Sequence, residues 1–189
     1  MKTQDIPRTG RIGRFANIVE KEMDQDVFLR VLHDSDVYAS YKPPKKAAWW
    51  QAAVERLENE VGEQAAIEVM QACGRKCCST GHRKTAKRLM SESNSLEDFL
   101  EKSSTYGVKE GEIEYKLIDE NTIIGHFYRC FCGQVKQTQA LFDNTTYCNC
   151  SAEFHKQFFE AALERPVEVE IVHSIICGAE DCEFMVRIT

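Results

Sequence analysis

The second half of the chain alternates apolar and polar residues with the period of a β-strand. This alternation runs through 113–117, and an Asp-Glu-Asn turn separates it from a stretch over 122–130 that is rich in β-branched and aromatic residues. A second alternating stretch covers 167–175, and after a turn the chain returns with the same period through 184–188. The pattern therefore predicts two β-hairpins.

Other segments repeat their apolar residues at the three- and four-residue spacing of a helix face. One lies between the hairpins, where Ser151 can cap a helix that ends before Pro166. Upstream, Gly74 is predicted to stop a helix, because glycine commonly follows the last helical residue. The predicted upstream helices are a short one around Phe15–Leu32, one from Ala47 to Val61, one from Ala66 to Cys73, and one from Ser95 to Gly107.

Helices followed by hairpin, helix and hairpin predict an α+β fold, with an antiparallel sheet that has helices packed on one face. The length of 189 residues suits one domain. Within it we expect an N-terminal extension over 1–45, a helical part over 46–106 and the hairpin-helix-hairpin part over 107–189.

Charge and hydropathy narrow the class of protein. The net charge is −6, and it is uneven: residues 1–94 hold 16 basic and 13 acidic side chains, whereas residues 95–189 hold 8 and 17. An acidic half repels phosphate backbones, so nucleic acid is not expected as a partner. No stretch reaches the roughly 20 apolar residues of a membrane helix, and the start of the chain lacks the apolar core of a signal peptide. We therefore expect a cytoplasmic protein that does not bind membranes.

Nine cysteines dominate the candidate chemistry, and a reducing compartment disfavours a disulfide framework. Most occur in close pairs that could each chelate a metal, because residues i, i+4 of a helix or i, i+2 of a strand share one face. Two such pairs would supply the four ligands that Zn²⁺ prefers. The candidate zinc ligands are Cys73, Cys77, Cys130, Cys132, Cys148 and Cys150.

Reactive thiol chemistry and simple burial are the alternatives to a metal site. Cys77 is followed by several basic residues, which would favour its thiolate and make it a candidate nucleophile. Arg75 and Arg83 could hold a substrate carboxylate, or they could lie on a solvated helix face. His173 is in phase with the apolar residues of its strand, so it faces either the core or a pocket in which it binds a ligand.

Several motifs resemble those of 4-vinyl reductase-type domains and of bacterial proteins similar to 2-amino-thiazoline-4-carboxylate hydrolase. They are Ser174-Ile-Ile-Cys-Gly-Ala-Glu-Asp-Cys-Glu-Phe-Met-Val186, Tyr147-Cys-Asn-Cys-Ser151, Pro166-Val-Glu-Val-Glu170 and Met70-Gln-Ala-Cys-Gly-Arg-Lys-Cys77. The resemblance covers residues 66–189. It implies a fold similar to that of TRAPP components, with a small-molecule pocket and a dimeric state.

Residues and resemblance together lead to three hypotheses. The first is a small-molecule-binding protein with a cysteine-rich pocket that holds zinc or reactive thiols. The second is a hydrolase that opens a small ring acid containing nitrogen or sulfur, with either a bound water or the thiolate of Cys77 as the attacking group. The third is a homodimer whose thiols respond to oxidation.

Overall fold

The computed structural model describes residues 6–189, and these contain one four-stranded antiparallel sheet. Its strands are β1 (Ile113–Asp119), β2 (Thr122–Phe127), β3 (Val167–His173) and β4 (Cys182–Ile188). The spatial order is β1-β2-β4-β3, so the two predicted hairpins are confirmed and join through β2 and β4. At that junction Gly125 lies opposite Phe184, whose ring occupies the space that a side chain at position 125 would need.

Seven α-helices accompany the sheet in the part of the chain that the structure describes, which confirms the predicted α+β class. They are α1 (Gly10–Glu22), α2 (Gln25–Val31), α3 (Pro43–Val61), α4 (Glu63–Cys77), α5 (Thr80–Ser91), α6 (Leu96–Thr105) and α7 (Asn149–Leu163). Short 3-10 turns lie at Tyr38–Ser40, Thr146–Cys148 and Ile175–Cys177.

Two hydrophobic cores lie side by side. The first gathers the N-terminal helices around Phe15, Phe28 and Trp50, and the second lies between the sheet and the helices α5 to α7, with Phe159 and Phe184 fully buried. Helices α1 and α2 therefore supply central residues of the first core, so the segment predicted as an extension is integral to the packing. No helix within residues 6–189 combines the length and the apolar character needed to cross a membrane.

Several helix boundaries differ from the sequence expectation, and one of them is the start of α7, which begins at Asn149 without the predicted Ser151 cap. The predicted helix around Phe15–Leu32 is two helices, because the Asp24 side chain accepts hydrogen bonds from two backbone N–H groups and starts α2. Helix α5 follows a cap by Ser79, in a segment for which a solvated helix face was only one of the alternatives. Gly74 does not end α4, which continues to Cys77. The absence of a side chain at Gly74 serves close packing against α7, where the backbone of Cys150 lies.

Candidate functional site

A cavity of about 490 Å³ lies where the two cores meet, between the inner face of the sheet and the helices. One part of its wall is aromatic, and another part carries cysteines and two arginines. The aromatic side chains are Tyr106, Tyr115, Phe127, Phe131, Tyr147, Phe154, Phe158 and Phe184. The cysteines are Cys77, Cys130, Cys132, Cys148, Cys150 and Cys182, and the arginines are Arg11 and Arg129.

Two polar side chains in the wall of this cavity are buried without a hydrogen-bond partner among the described residues. The first is His155 on α7, of which both ring nitrogens lack a partner. The second is Ser103 on α6, of which the hydroxyl lacks one. The His155 ring stacks on Phe184 with a centroid distance of 4.2 Å, and burial lowers the pKa of His155 to about 3. The imidazole is therefore neutral, with one nitrogen as donor and the other as acceptor.

The cysteine end of the cavity brings Cys77 and Cys150 together. Their sulfur atoms are 4.0 Å apart, with the Cys150 thiol donating to Cys77. From α1, an Arg14 nitrogen lies 3.4 Å and an Arg11 nitrogen 3.7 Å from the Cys77 sulfur. Cys77 is the last residue of α4 and Cys150 the second of α7, so the contact joins the ends of two helices.

These neighbours act on the two thiols in opposite directions. The hydrogen bond from Cys150 lowers the pKa of Cys77, burial opposes it, and the charges of Arg11 and Arg14 lower it further, so that the Cys77 pKa lies well below its usual range. The same hydrogen bond, together with burial, raises the pKa of Cys150. The thiolate of the pair is therefore favoured at Cys77, and Cys150 keeps its proton. The thiolate is the nucleophilic form of a cysteine, so Cys77 is the more reactive of the two.

The pairs expected to act as chelators are separated by the local backbone. Cys148 and Cys150 lie at the start of α7, where residues two apart point to different sides of the helix, so the extended-strand expectation fails. Cys150 faces Cys77, while Cys148 lies 3.2 Å from the hydroxyl of Ser174, which is also 3.8 Å from Cys182.

Cys130 and Cys132 lie in the loop between β2 and α7 rather than in an extended strand. The Cys132 sulfur is 2.9 Å from an Arg11 nitrogen and 3.1 Å from the hydroxyl of Tyr147. Cys130 lies in the cavity wall, and burial raises its pKa to about 11. Arg11 therefore contacts the sulfurs of both Cys77 and Cys132.

The described part of the chain contains no preformed metal site. Within residues 6–189, no three or more His, Cys, Asp or Glu side chains are grouped so that they could hold one. Cys73 shares the α4 face of Cys77, as the helical spacing predicted, but burial raises its pKa to about 12, which disfavours the thiolate that zinc needs. The zinc site stays a prediction, which elemental analysis of protein purified without chelator would test.

Arg75 and Arg83 lie at a different surface from Cys77. Both line an open hollow outside α4, α5 and α7, where Arg75 is 3.6 Å from Glu153 and Arg83 bonds the carbonyl of Cys78 and the side chain of Gln157. The arginines expected to hold a carboxylate beside Cys77 are therefore elsewhere. The arginines that do face Cys77 are Arg11 and Arg14, and they belong to α1.

His173 lines the cavity at the end of β3, but its ring is already engaged. Its Nε2 lies 2.6 Å from Asp181, whose other oxygen is 2.7 Å from Nδ1 of His126. Burial raises the pKa of Asp181, but the hydrogen bonds from the two histidines outweigh it and lower the pKa overall. The His173 ring therefore borders the cavity and is hydrogen-bonded to a carboxylate.

Sequence patterns did not reveal Arg11, Ser103 or His155 as site residues. Arg11 belongs to the segment interpreted as an extension, and Ser103 is one serine among many. His155 is not among the predicted ligands. Its position could have been found from helical spacing, because it is four residues before Phe159 and thus on the buried face of α7.

Fold and cavity together define a class of α+β proteins that enclose a small-molecule-sized cavity between an antiparallel sheet and its helices. Within that class, the chain belongs to a family of unknown function, DUF6144, whose model matches residues 12–189. No protein with a curated description matches it.

Two solved structures are similar in fold. Subunit 3 of the trafficking protein particle complex from Naegleria fowleri, covalently bound to palmitic acid, has a TM-score of 0.52 and 14% identity over 77% of this chain and 93% of that chain. The phenol-responsive sensory domain of the transcription activator PoxR, with phenol, has a TM-score of 0.50 and 18% identity over 78% and 76%. The fold thus agrees with the expected TRAPP-like architecture, whereas the resemblance to vinyl reductase-type and hydrolase proteins stays a prediction.

Proposed function

We propose that this protein binds a small, largely apolar molecule, with one hydrogen-bonding group, in the cavity between the sheet and the helices. The observation that carries the proposal is His155, a neutral, buried imidazole in the cavity wall whose two nitrogens have no partner within residues 6–189. Leaving a buried polar group without a partner costs about 1–3 kcal/mol. A ligand that bonds the ring would recover that cost.

The residues of the cavity wall indicate the size and the polarity of the ligand. Aromatic rings from the sheet and from α7 line the cavity. Its volume of about 490 Å³ lies within the range of roughly 300–1,000 Å³ common to ligand pockets. A neutral imidazole and the Ser103 hydroxyl can both donate and accept, so they suit a hydroxyl, phenol or carbonyl group.

Two proteins of similar fold support this class of ligand. Palmitic acid and phenol, with which they were solved, are both apolar molecules that end in one oxygen-bearing group. The predicted carboxylate ligand fits the same description if its charged end lies at Arg11, which is guanidinium at all relevant pH values and contacts only thiol sulfurs among its described hydrogen-bond partners.

Titration of the purified protein with phenol, 1-decanol and decanoate, each followed by calorimetry and thermal unfolding, tests the proposal. At least one probe is expected to bind and to raise the stability of the fold, by about 2.7 kcal/mol at a hundred times its Kd. His155→Phe should weaken that probe, because the ring's hydrogen bond is lost. Ser103→Phe should abolish its binding by filling the cavity.

His33→Phe is the matched control, since His33 is exposed and remote from the cavity lining. It should bind every probe as the wild type does. The proposal fails if no probe binds, or if the two cavity variants bind as strongly as the wild type and the control.

A further inference from the structure

Cys77 and Cys150 are the one pair of thiols in direct hydrogen-bonding contact within residues 6–189. Their helices are held together by the close approach of Gly74 to the backbone of Cys150, one turn before Cys77. A disulfide needs sulfurs about 2.05 Å apart, so the present 4.0 Å must close by about 2 Å. Both residues lie at helix ends, where side-chain rotation and a small backbone shift are least restricted.

The surroundings of the pair favour one direction of reaction. Arg14 and Arg11 face the Cys77 sulfur at 3.4 and 3.7 Å, whereas Cys150 is buried and donates its proton toward Cys77. Cations beside a sulfur stabilise the thiolate, which is the nucleophilic form. Cys77 is therefore placed to attack, and Cys150 to resolve the product.

An oxidant can reach Cys77 through the cavity, because both sulfur-bearing residues belong to its wall. An aromatic-lined passage favours a molecule with an apolar body over small polar oxidants. Arg11, whose guanidinium also contacts Cys132, can stabilise negative charge that develops on a leaving oxygen beside Cys77.

We propose that Cys77 and Cys150 form a thiol pair that reduces an organic hydroperoxide, ROOH, entering the cavity. The Cys77 thiolate attacks the terminal peroxide oxygen, so that an S–O bond forms, the O–O bond breaks, and the alkoxide leaves and takes up a proton to give ROH. The Cys150 sulfur then attacks the Cys77 sulfenic acid. An S–S bond forms, the S–O bond breaks, and hydroxide leaves as water with the Cys150 proton.

The two thiols supply the two electrons that the hydroperoxide accepts. The preference for an organic hydroperoxide rests on the proposed function, since it needs the apolar cavity to admit the R group. The probe titrations described above contain no oxidant, so they measure ligand binding alone. A failure of binding can therefore be distinguished from a failure of the thiol reaction.

The test is to treat fully reduced protein with cumene hydroperoxide and, in parallel, with hydrogen peroxide, and to follow intact mass and cysteine-containing peptides with time. The expected product has lost two hydrogens and contains a Cys77–Cys150 crosslink. It should form at least about tenfold faster with cumene hydroperoxide, because apolar groups in a matching pocket are worth that much or more.

Four variants assign the roles. Cys150→Ser should stop at the sulfenic acid of Cys77, which dimedone traps. Cys77→Ser should give neither crosslink nor trapped adduct. Cys177→Ser changes a cysteine outside the cavity lining, whose thiol donates to the carbonyl of Asn144, and it should react as the wild type does. Cys78→Ser removes the thiol next to Cys77 in sequence. If this variant still forms the crosslink, the reacting thiol is Cys77 and not Cys78.

The proposal is overturned if Cys77→Ser still loses two hydrogens at the wild-type rate, if hydrogen peroxide reacts as fast as cumene hydroperoxide, or if the crosslink joins other cysteines. Circular dichroism of each variant shows whether its fold is kept. If Cys77→Ser does not fold, dimedone labelling of Cys150→Ser at Cys77 decides the question, and its absence overturns the proposal.

Discussion

Gly74 of α4 lies directly against the carbonyl oxygen of Cys150 in α7, closer than any side chain at position 74 would permit. The contact allows two helices to meet backbone to backbone and brings the Cys77 sulfur to its partner. Gly74→Ala should therefore force the helices apart and lower the free energy of unfolding by about 1–3 kcal/mol, as overpacking of a filled core does. Urea denaturation of both proteins measures the change.

Gly81 provides the control for that substitution. It lies in the first turn of α5, where an added Cβ would have its nearest neighbour, the Ser79 hydroxyl, at an ordinary 3.5 Å. Gly81→Ala should leave stability unchanged or raise it by up to about 1 kcal/mol, because alanine is the better helix former. Equal destabilisation by both substitutions would refute the packing role of Gly74.

His155 should show opposite effects on stability and on binding. Replacing it with phenylalanine removes two buried nitrogens that lack partners and keeps a ring to stack on Phe184. We expect the free energy of unfolding of His155→Phe to rise by about 1 kcal/mol in the absence of ligand, while affinity for the best probe falls. A variant that is both less stable and unchanged in binding would contradict the assigned role.

The reactivity of Cys77 should depend on Arg11. The hydrogen bond from Cys150 and the charges of Arg11 and Arg14 lower the pKa of Cys77, which favours its thiolate at neutral pH. Arg11→Gln removes one of these charges, so it should raise that pKa and slow alkylation by iodoacetamide severalfold at pH 7. The difference should shrink at higher pH, where the thiol of the variant also ionises. Rates of labelling at Cys77, resolved by peptide mass, measure it.

The thiols of Cys150, Cys73 and Cys78 also interact with Cys77, and the pKa of each is raised, so none of them adds charge at neutral pH. Arg75→Gln is the matched control, because Arg75 is two residues from Cys77 in sequence but lies beside Glu153. Similar slowing by both arginine variants would mean that net charge rather than direct contact sets the rate.

Asp181 should stabilise the sheet in a pH-dependent manner. Its pKa is lowered in the folded protein by hydrogen bonds from His126 and His173, so its contribution is present above the ordinary carboxyl pKa of about 3.9 and is lost as pH falls through the lower, folded value. Asp181→Asn should cost about 1.5–3 kcal/mol near neutral pH. The gap to the wild type should narrow toward pH 3, when measured by denaturant unfolding.

The exposed Asp36→Asn variant serves as the comparison for Asp181, and its stability should follow the wild-type pH profile. A constant difference between Asp181→Asn and the wild type across the pH range would show that the carboxylate charge is not what holds the two histidines.

Local sequence determined the strands and most helices of this protein, because the period of apolar residues reports directly which face of an element is buried. The hairpins over β1–β2 and β3–β4 were predictable for that reason, and so was the α+β class. Helix α5 was not, since its exposed surface is dominated by basic residues and only Ala86 and Leu89 are fully buried.

The site was decided by tertiary structure. Cys77 meets Cys150 across 73 positions of sequence, and Arg11 meets Cys132 across 121, distances at which no local spacing can report a contact. The glycine at 74 shows the reason most clearly: a local pattern marks glycine as a helix end, but here the missing side chain is required by a neighbouring helix. The residue types of the sequence indicated the candidate chemistry of this protein. Which of its cysteines, arginines and histidines share one cavity was determined by tertiary packing.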